Sequence, residues 1–186
     1  MIRMIKPALV INSSDVPGPL YTMWQTVSAP IGADVTSLLS YIDEGHRVSL
    51  ETFGYKLVNI VINSHGGPGN LSLGGRGHNA ITKGDLHALA PLKGHTSGTI
   101  WIVACEIAAG IDGGNFCQAL AMTTGYQVVA GTVDQYVDGW DGYMMWHIAN
   151  AIDEFEGDVY AFYPSGSFRK IDPHRDVLTI YGTVLD

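Results

Sequence analysis

The stretch Leu57-Val58-Asn59-Ile60-Val61-Ile62-Asn63-Ser64-His65-Gly66-Gly67 decides how the chain folds. Apolar, mostly β-branched residues fill its first half, at alternate positions on both sides of the backbone. That pattern predicts a parallel strand over 57–63, buried on both faces. The run stops at a histidine and two glycines. Further along, Thr99-Ile100-Trp101-Ile102-Val103-Ala104-Cys105 repeats the grammar and stops at a cysteine. Parallel strands of one sheet end side by side. A thiol and an imidazole are therefore expected at one sheet edge.

Working outward, strands are expected over 5–11, 99–104, 126–130 and 177–184, with a short one over 20–28. Helices are expected over 34–44, 83–92, 115–124 and 143–155. Asp34 is the N-cap of the first, with Gly45 as its stop; Pro91 and Gly94 end the second; Gly125 caps the third. Residues 46–56 are ambiguous. Pro17-Gly18-Pro19 marks a loop. Six glycines in residues 66–77 surround Leu71-Ser72-Leu73, which fits a small hairpin or flap. Residues 158–163 and 167–171 flank Pro164-Ser165-Gly166, a hairpin signal. Strands alternating with helices predict an α/β fold with a mostly parallel sheet, helices on both faces, and an antiparallel hairpin near the C-terminus. No repeat or linker interrupts residues 1–186, so one domain is expected.

Composition narrows the function. An apolar share of 46% with only 15% charged residues suits a packed core and excludes a disordered chain. A formal net charge of −8 argues against a nucleic-acid partner, which calls for a basic patch. No apolar run reaches the roughly 18 residues of a membrane span, so no membrane partner is expected. Arg3 and Lys6 are followed by Pro7, and residues 8–11 are too short for a signal-peptide core. A cytoplasmic location is expected, although export without a cleaved signal is compatible with the same residues. Two cysteines, Cys105 and Cys117, do not make a disulfide framework, and both are read as thiols.

Sites in open α/β sheets form beyond the carboxyl ends of strands. His65 and Cys105 both stand there. A cysteine becomes a useful nucleophile beside a base, and a histidine titrates near neutrality. Acyl transfer also needs donors aimed at an oxyanion, and the backbone N–H groups of Gly66 and Cys105 are available for that. Gly67 and Ala104 are small and leave room for a substrate backbone. On the residues alone, a small core cysteine and a turn histidine fit the same pattern.

The ordered motifs carry a resemblance. Ser64-His65-Gly66-Gly67-Pro68-Gly69-Asn70-Leu71-Ser72-Leu73-Gly74 resembles the SHG-x-x-G-x-L-x-LG of the bacterial domain of unknown function DUF4347. Cys105-Glu106-Ile107-Ala108-Ala109-Gly110, then Gly113, Gly114, Phe116, Leu120-Ala121, Thr124-Gly125 and Val128-Val129-Ala130, is similar to its C-x-x-A-x-G…G…F…LA…TG…V-x-A. Strand-His-Gly followed by strand-Ala-Cys is also the pattern of the caspase-like cysteine peptidases, the clan of caspases, metacaspases, clostripain, gingipains and separase. The similarity covers roughly residues 57–132. It implies a caspase-like three-layer α/β/α sandwich and peptide-bond hydrolysis by a Cys–His dyad. Cys105 is then the nucleophile, His65 the general acid/base, and the amides of Gly66 and Cys105 the oxyanion hole. A protein or peptide is the implied partner, and the chemistry requires no metal or organic cofactor.

The sequence also departs from caspases. Cys105 is preceded by Val103-Ala104 and followed by Glu106-Ile107, and Asn12-Ser13-Ser14-Asp15 stands where caspases carry a specificity arginine. Cleavage after aspartate is not expected. In clan members that cut after Arg or Lys, an acidic residue lines the S1 pocket; Asp15 and Asp134 are the candidates, each also readable as a loop aspartate. Glu106 beside the thiol is a candidate substrate contact. His78, His87 and His95 lack zinc-motif spacing, and no Gly-x-Ser-x-Gly elbow is present. Trp101, Trp140 and Trp146 read as core or pocket-wall aromatics. The rival from another class is a catalytically silent caspase-like interaction or regulatory module.

Overall fold

The computed structural model describes residues 2–16, 20–94, 98–135 and 149–173. In chain order these form β1 (Ile2–Arg3), β2 (Ala8–Ser13), β3 (Gln25–Ala29), α1 (Val35–Phe53), β4 (Asn59–Asn63), β5 (His65–Gly67), β6 (Asn70–Ser72) and β7 (Ile81–Thr82). A 3₁₀ helix (Leu86–Leu92), β8 (Thr99–Val103), α2 (Gly110–Thr124), β9 (Gln127–Gly131), β10 (Ala151–Ile152), β11 (Val159–Phe162) and β12 (Phe168–Ile171) follow.

Seven strands make the main sheet in the order β12-β11-β9-β8-β4-β2-β3. The five from β3 to β9 are parallel to their neighbours, and β11 and β12 add an antiparallel hairpin at one edge. The chain leaves β2 outward to β3, returns through α1 to β4, and then proceeds the other way to β8 and β9. The direction of winding therefore reverses between β2 and β4. In open α/β sheets the crevice beyond the carboxyl ends at such a reversal is where ligands bind.

Alternation along the central strands separates two cores. Leu9, Ile11, Ile60, Ile62, Ile100, Ile102, Val128 and Ala130 face α1, α2 and the 3₁₀ helix. Ala8, Val10, Val61, Trp101 and Val129 face the other way, against Ile2, Met4, Tyr21, Met23 and Ile152. All three helices among the described residues thus lie on one face. The expectation of helices on both faces is corrected to this extent. Residues 151–152, expected in a helix, form β10 instead and pair antiparallel with β1. Asn150 just before them sits at φ 57°, in the left-handed region where a helix cannot continue. Residues 149–150 and 153–155 of that expected helix are not helical either. Its part over 143–148, the strand over 177–184, and Pro17-Gly18-Pro19, His95, Trp140 and Trp146 lie outside the described residues.

Two other expectations are revised. α1 does not stop at Gly45 but runs on to Phe53, with Asp34 in a capping box and Gly54 as the left-handed C-cap. Gly45 serves close packing instead: a Cβ there would lie 2.9 Å from Leu57 Cδ1 and 3.1 Å from Leu9 Cδ2. The segment 83–92 is a 3₁₀ helix from Leu86, and it contains Pro91 rather than ending there.

Two local arrangements hold the carboxyl edge together. Beneath it, Asn12 and Asn63 are buried opposite each other on β2 and β4. Asn63 Nδ2 donates to Asn12 Oδ1 at 2.9 Å, Asn12 Nδ2 donates to the Tyr21 carbonyl at 2.9 Å, and the Tyr21 N–H returns a bond to Asn12 Oδ1 at 3.2 Å. Beside it, the first turn of α2 packs onto the preceding loop, and a Cβ at Gly113 would lie 2.5 Å from the Ala108 carbonyl carbon and 2.7 Å from the Ile107 oxygen.

Asn12→Ala, which strands buried donors on two elements, is expected to destabilise the fold by about 2–4 kcal/mol, read by urea unfolding. Gly113→Ala should gain about 1 kcal/mol of helix propensity yet lose more to backbone overlap. A net loss of about 1–3 kcal/mol in thermal unfolding is the expected outcome, and unchanged stability would contradict the packing described.

Candidate active site

β4 and β8 are parallel neighbours in register, Asn63 opposite Val103. The pairing continues one step beyond the strands, where the Ser64 N–H donates to the Val103 carbonyl at 3.2 Å. His65 and Cys105 follow at equivalent positions on the two chains, and both are partly exposed. The contact that seats them is Gly66. A Cβ there would lie 2.9 Å from Ala104 Cβ and 3.1 Å from the Cys105 carbonyl oxygen. Any side chain would push the histidine-bearing segment off the cysteine-bearing one.

After His65 the chain turns into a small three-stranded sheet, β5-β6-β7. This is the hairpin expected from the glycines, with one further strand. Its β5–β6 turn rests on the cysteine loop. The Gly69 N–H donates to the Ile107 carbonyl at 3.4 Å, and Gly69, at φ 74°, approaches the Asp112 carbonyl so closely that a Cβ would be 2.9 Å away.

Cys105 opens the turn that links β8 to α2. The next residue, Glu106, holds φ 50°, a strained value for a residue with a side chain. Three bonds hold it there: Glu106 N–H to the Val133 carbonyl at 3.1 Å, Ala108 N–H to the Gly131 carbonyl at 3.1 Å, and Ala109 N–H to the Glu106 carbonyl at 2.8 Å. The Cys105 N–H donates to no backbone carbonyl among the described residues. It stands beside the thiol. Glu106 is exposed, and so is Asp134, which follows the Val133 carbonyl that holds the Glu106 amide. Gly67 is partly exposed in β5.

Asp15 stands at the same carboxyl edge of the sheet. It follows β2, the strand on the other side of β4, and meets His65. His65 Nε2 is 3.2 Å from the Asp15 carbonyl oxygen and 3.7 Å from Asp15 Oδ1. Both are acceptors, which suits a proton on Nε2 and leaves Nδ1 turned to other partners. Partial burial by itself would raise the Asp15 carboxyl, but hydrogen bonds from Ser13 Oγ and the Arg76 N–H, with the attraction of His65, hold it below the usual carboxylate range. The other thiol is different in kind. Cys117 is buried in α2 with its Sγ 3.9 Å from the Ile107 carbonyl, and burial pushes its ionisation up.

The strand-end positions of His65 and Cys105 and the glycine beside His65 were legible in the sequence. The pairing of Asp15 with His65 was not, because nothing in residues 12–15 says which strand lies next to β2. Two polar residues ending apolar strands, Asn12 and Asn63, were the available signal. Among the described residues, no group of three or more His, Cys, Asp or Glu side chains is placed to hold a metal ion. No helix among them is long and apolar enough to cross a membrane.

No curated protein and no solved structure matches the chain. The family described as "Domain of unknown function (DUF4347)" matches residues 27–136, more than half of the chain, a span that holds His65, Gly66, Cys105 and Asp134. The chain belongs to the DUF4347 family.

Proposed function

We propose that the chain is a caspase-like cysteine peptidase that hydrolyses peptide bonds through Cys105 and His65. The observation that carries this reading is the packing of Gly66 on Ala104 and Cys105, which brings the histidine and cysteine segments together at the carboxyl edge of the sheet. The mostly parallel sheet with its antiparallel edge hairpin supports a caspase-like architecture.

In this mechanism Cys105 Sγ passes its proton to His65 Nδ1 and attacks the scissile carbonyl carbon. The oxygen gains negative charge and is met by the N–H groups of Cys105 and Gly66. His65, protonated at Nδ1 and held at Nε2 by Asp15, gives that proton to the departing amine as the C–N bond breaks. The thioester is then cleaved by water, whose proton returns to His65, and the carboxylic acid leaves as the thiol is restored. The substrate is a protein or peptide, and no cofactor enters any step. Asp134 and Glu106, exposed on the two loops that flank Cys105, supply the negative charge for a basic P1 side chain. Asp15, with its carboxylate already engaged, is the weaker candidate for that role.

The test is hydrolysis of fluorogenic peptides with Arg, Lys or Asp at P1 by the full chain and by Cys105→Ala, His65→Ala and Cys117→Ser proteins. The first two substitutions are expected to lower kcat/KM by at least about a thousandfold, and the third to leave it within about twofold. A basic P1 should be preferred, and Asp134→Asn should reduce that preference. Selective alkylation of Cys105 by a peptidyl electrophile near pH 7 distinguishes a working dyad from a silent interaction module. In the module, Cys105 reacts no faster than a thiol of the unfolded chain.

A further inference from the structure

We propose that the Asp15 side chain is a positioning residue, which fixes the His65 ring and ties it to the glycine-rich turn at Gly75 and Arg76. Its effect on catalysis rests on the peptidase reading; its effect on the His65 ring does not.

The carboxylate makes two hydrogen bonds and one longer charge contact, and these fix the Asp15 carbonyl that His65 Nε2 meets at 3.2 Å. Oδ1 accepts from Ser13 Oγ at 2.7 Å and faces His65 Nε2 at 3.7 Å, while Oδ2 accepts from the Arg76 N–H at 3.0 Å. Ser13 ends β2 and is fully buried, so one anchor belongs to the main sheet. The other belongs to the turn after β6. That turn is braced in its own right: the Gly32 N–H donates to the Gly74 carbonyl at 2.8 Å, and a Cβ at Gly74 would lie 2.4 Å from the Ala33 oxygen. Asp15 thus stands between two fixed elements and holds the imidazole from the side of Nε2, which leaves Nδ1 for chemistry.

An asparagine cannot replace it. Both oxygens face donors, and an amide has one acceptor oxygen and one NH₂. With its NH₂ toward Arg76, the amide opposes an N–H. With its NH₂ toward Ser13 and His65, the hydroxyl can rotate to accept, but the Nε2–H then faces another donor. Gly75 is required for a related reason. It holds φ 100°, and a Cβ there would lie 2.9 Å from Asp15 Oδ2. A methyl group at Gly75 would therefore displace Asp15 without changing any titratable group.

The charged and titratable groups on the elements packed around His65 are Asp15 after β2, Arg76 in the turn, Cys105 and Glu106 after β8, and Asp112 in α2. Among the described residues, only Asp15 is placed against the ring at Nε2. In the peptidase reading a positive His65 ring supports negative charge on Cys105 Sγ, and removing the Asp15 charge weakens that support.

The experiment compares the full chain with Asp15→Asn, Asp15→Glu and Gly75→Ala proteins, each checked for folding by circular dichroism. The first readout is the His65 Nε2–H signal in ¹⁵N-edited NMR, assigned by its loss in His65→Ala. It is expected to be slow to exchange in the parent, lost to fast exchange in Asp15→Asn and Gly75→Ala, and partly retained in Asp15→Glu. The second is the pH profile of Cys105 alkylation by iodoacetamide. In Asp15→Asn the rate at pH 6, relative to that at pH 9, should fall about three- to tenfold. An unchanged Nε2–H signal in both Asp15→Asn and Gly75→Ala would overturn the proposal, as would superimposable alkylation profiles of a reactive Cys105. Should Asp15→Asn not fold, Gly75→Ala alone decides by the same readouts. An inert Cys105 in the parent, with an Nε2–H signal that still responds to Asp15, would uphold the positioning role and sink the peptidase reading.

Discussion

A glycine pressed against an alanine methyl sets the geometry of this protein. Gly66 comes so near Ala104 and the Cys105 carbonyl that no side chain fits. Two strand ends of a parallel sheet are about 4.8 Å apart by backbone pairing alone. Side chains would ordinarily splay the chains as they leave the sheet. Here the missing side chain lets the histidine-bearing segment stay against the cysteine-bearing turn after the ladder ends. The hairpin beyond it is pinned back onto the same turn through Gly69 and Ile107. The strained Glu106 and the packed Gly113 then direct the chain into α2.

Beneath this edge the sheet carries polar groups where an apolar core would be cheaper. Asn12 and Asn63 meet across β2 and β4, and Asn12 binds the returning chain at Tyr21. Buried amides cost free energy unless paired, and these are paired with one another and with backbone. Such pairing admits one register only, because a slip by one residue would turn both amides to the opposite face. The candidate site therefore stands on a sheet whose register is fixed directly below it. Asp15 extends the arrangement upward, from buried Ser13 to His65 and to the Arg76 turn.

Much of the fold was legible because its signals are local. Alternating apolar residues marked β4, β8 and β9, since a strand buried on both faces must be apolar at every position. Pro164-Ser165-Gly166 marked the β11–β12 hairpin, and Gly125 the end of α2, because turns and caps impose backbone angles that few residues tolerate. Gly45 misled for the opposite reason. A glycine is used at a helix end for its backbone freedom and inside a helix for its lack of bulk, and the sequence looks the same in both cases. Only the approach of Leu57 and Leu9 tells them apart. Residues 151–152 misled because β10 is held by its pairing with β1, at the other end of the chain.

The sequence by itself determined the parallel α/β class, the two strand ends that carry His65 and Cys105, and the glycine between them. All of these follow from periodicity and from residue type at a strand or helix end. Tertiary structure alone decided that β4 and β8 are neighbours, that the winding reverses between β2 and β4, and that Asp15 therefore faces His65. Strand order is a long-range matter. It is set by which apolar faces α1 and α2 cover and which buried amides find partners, and no window of sequence contains both halves of such a contact.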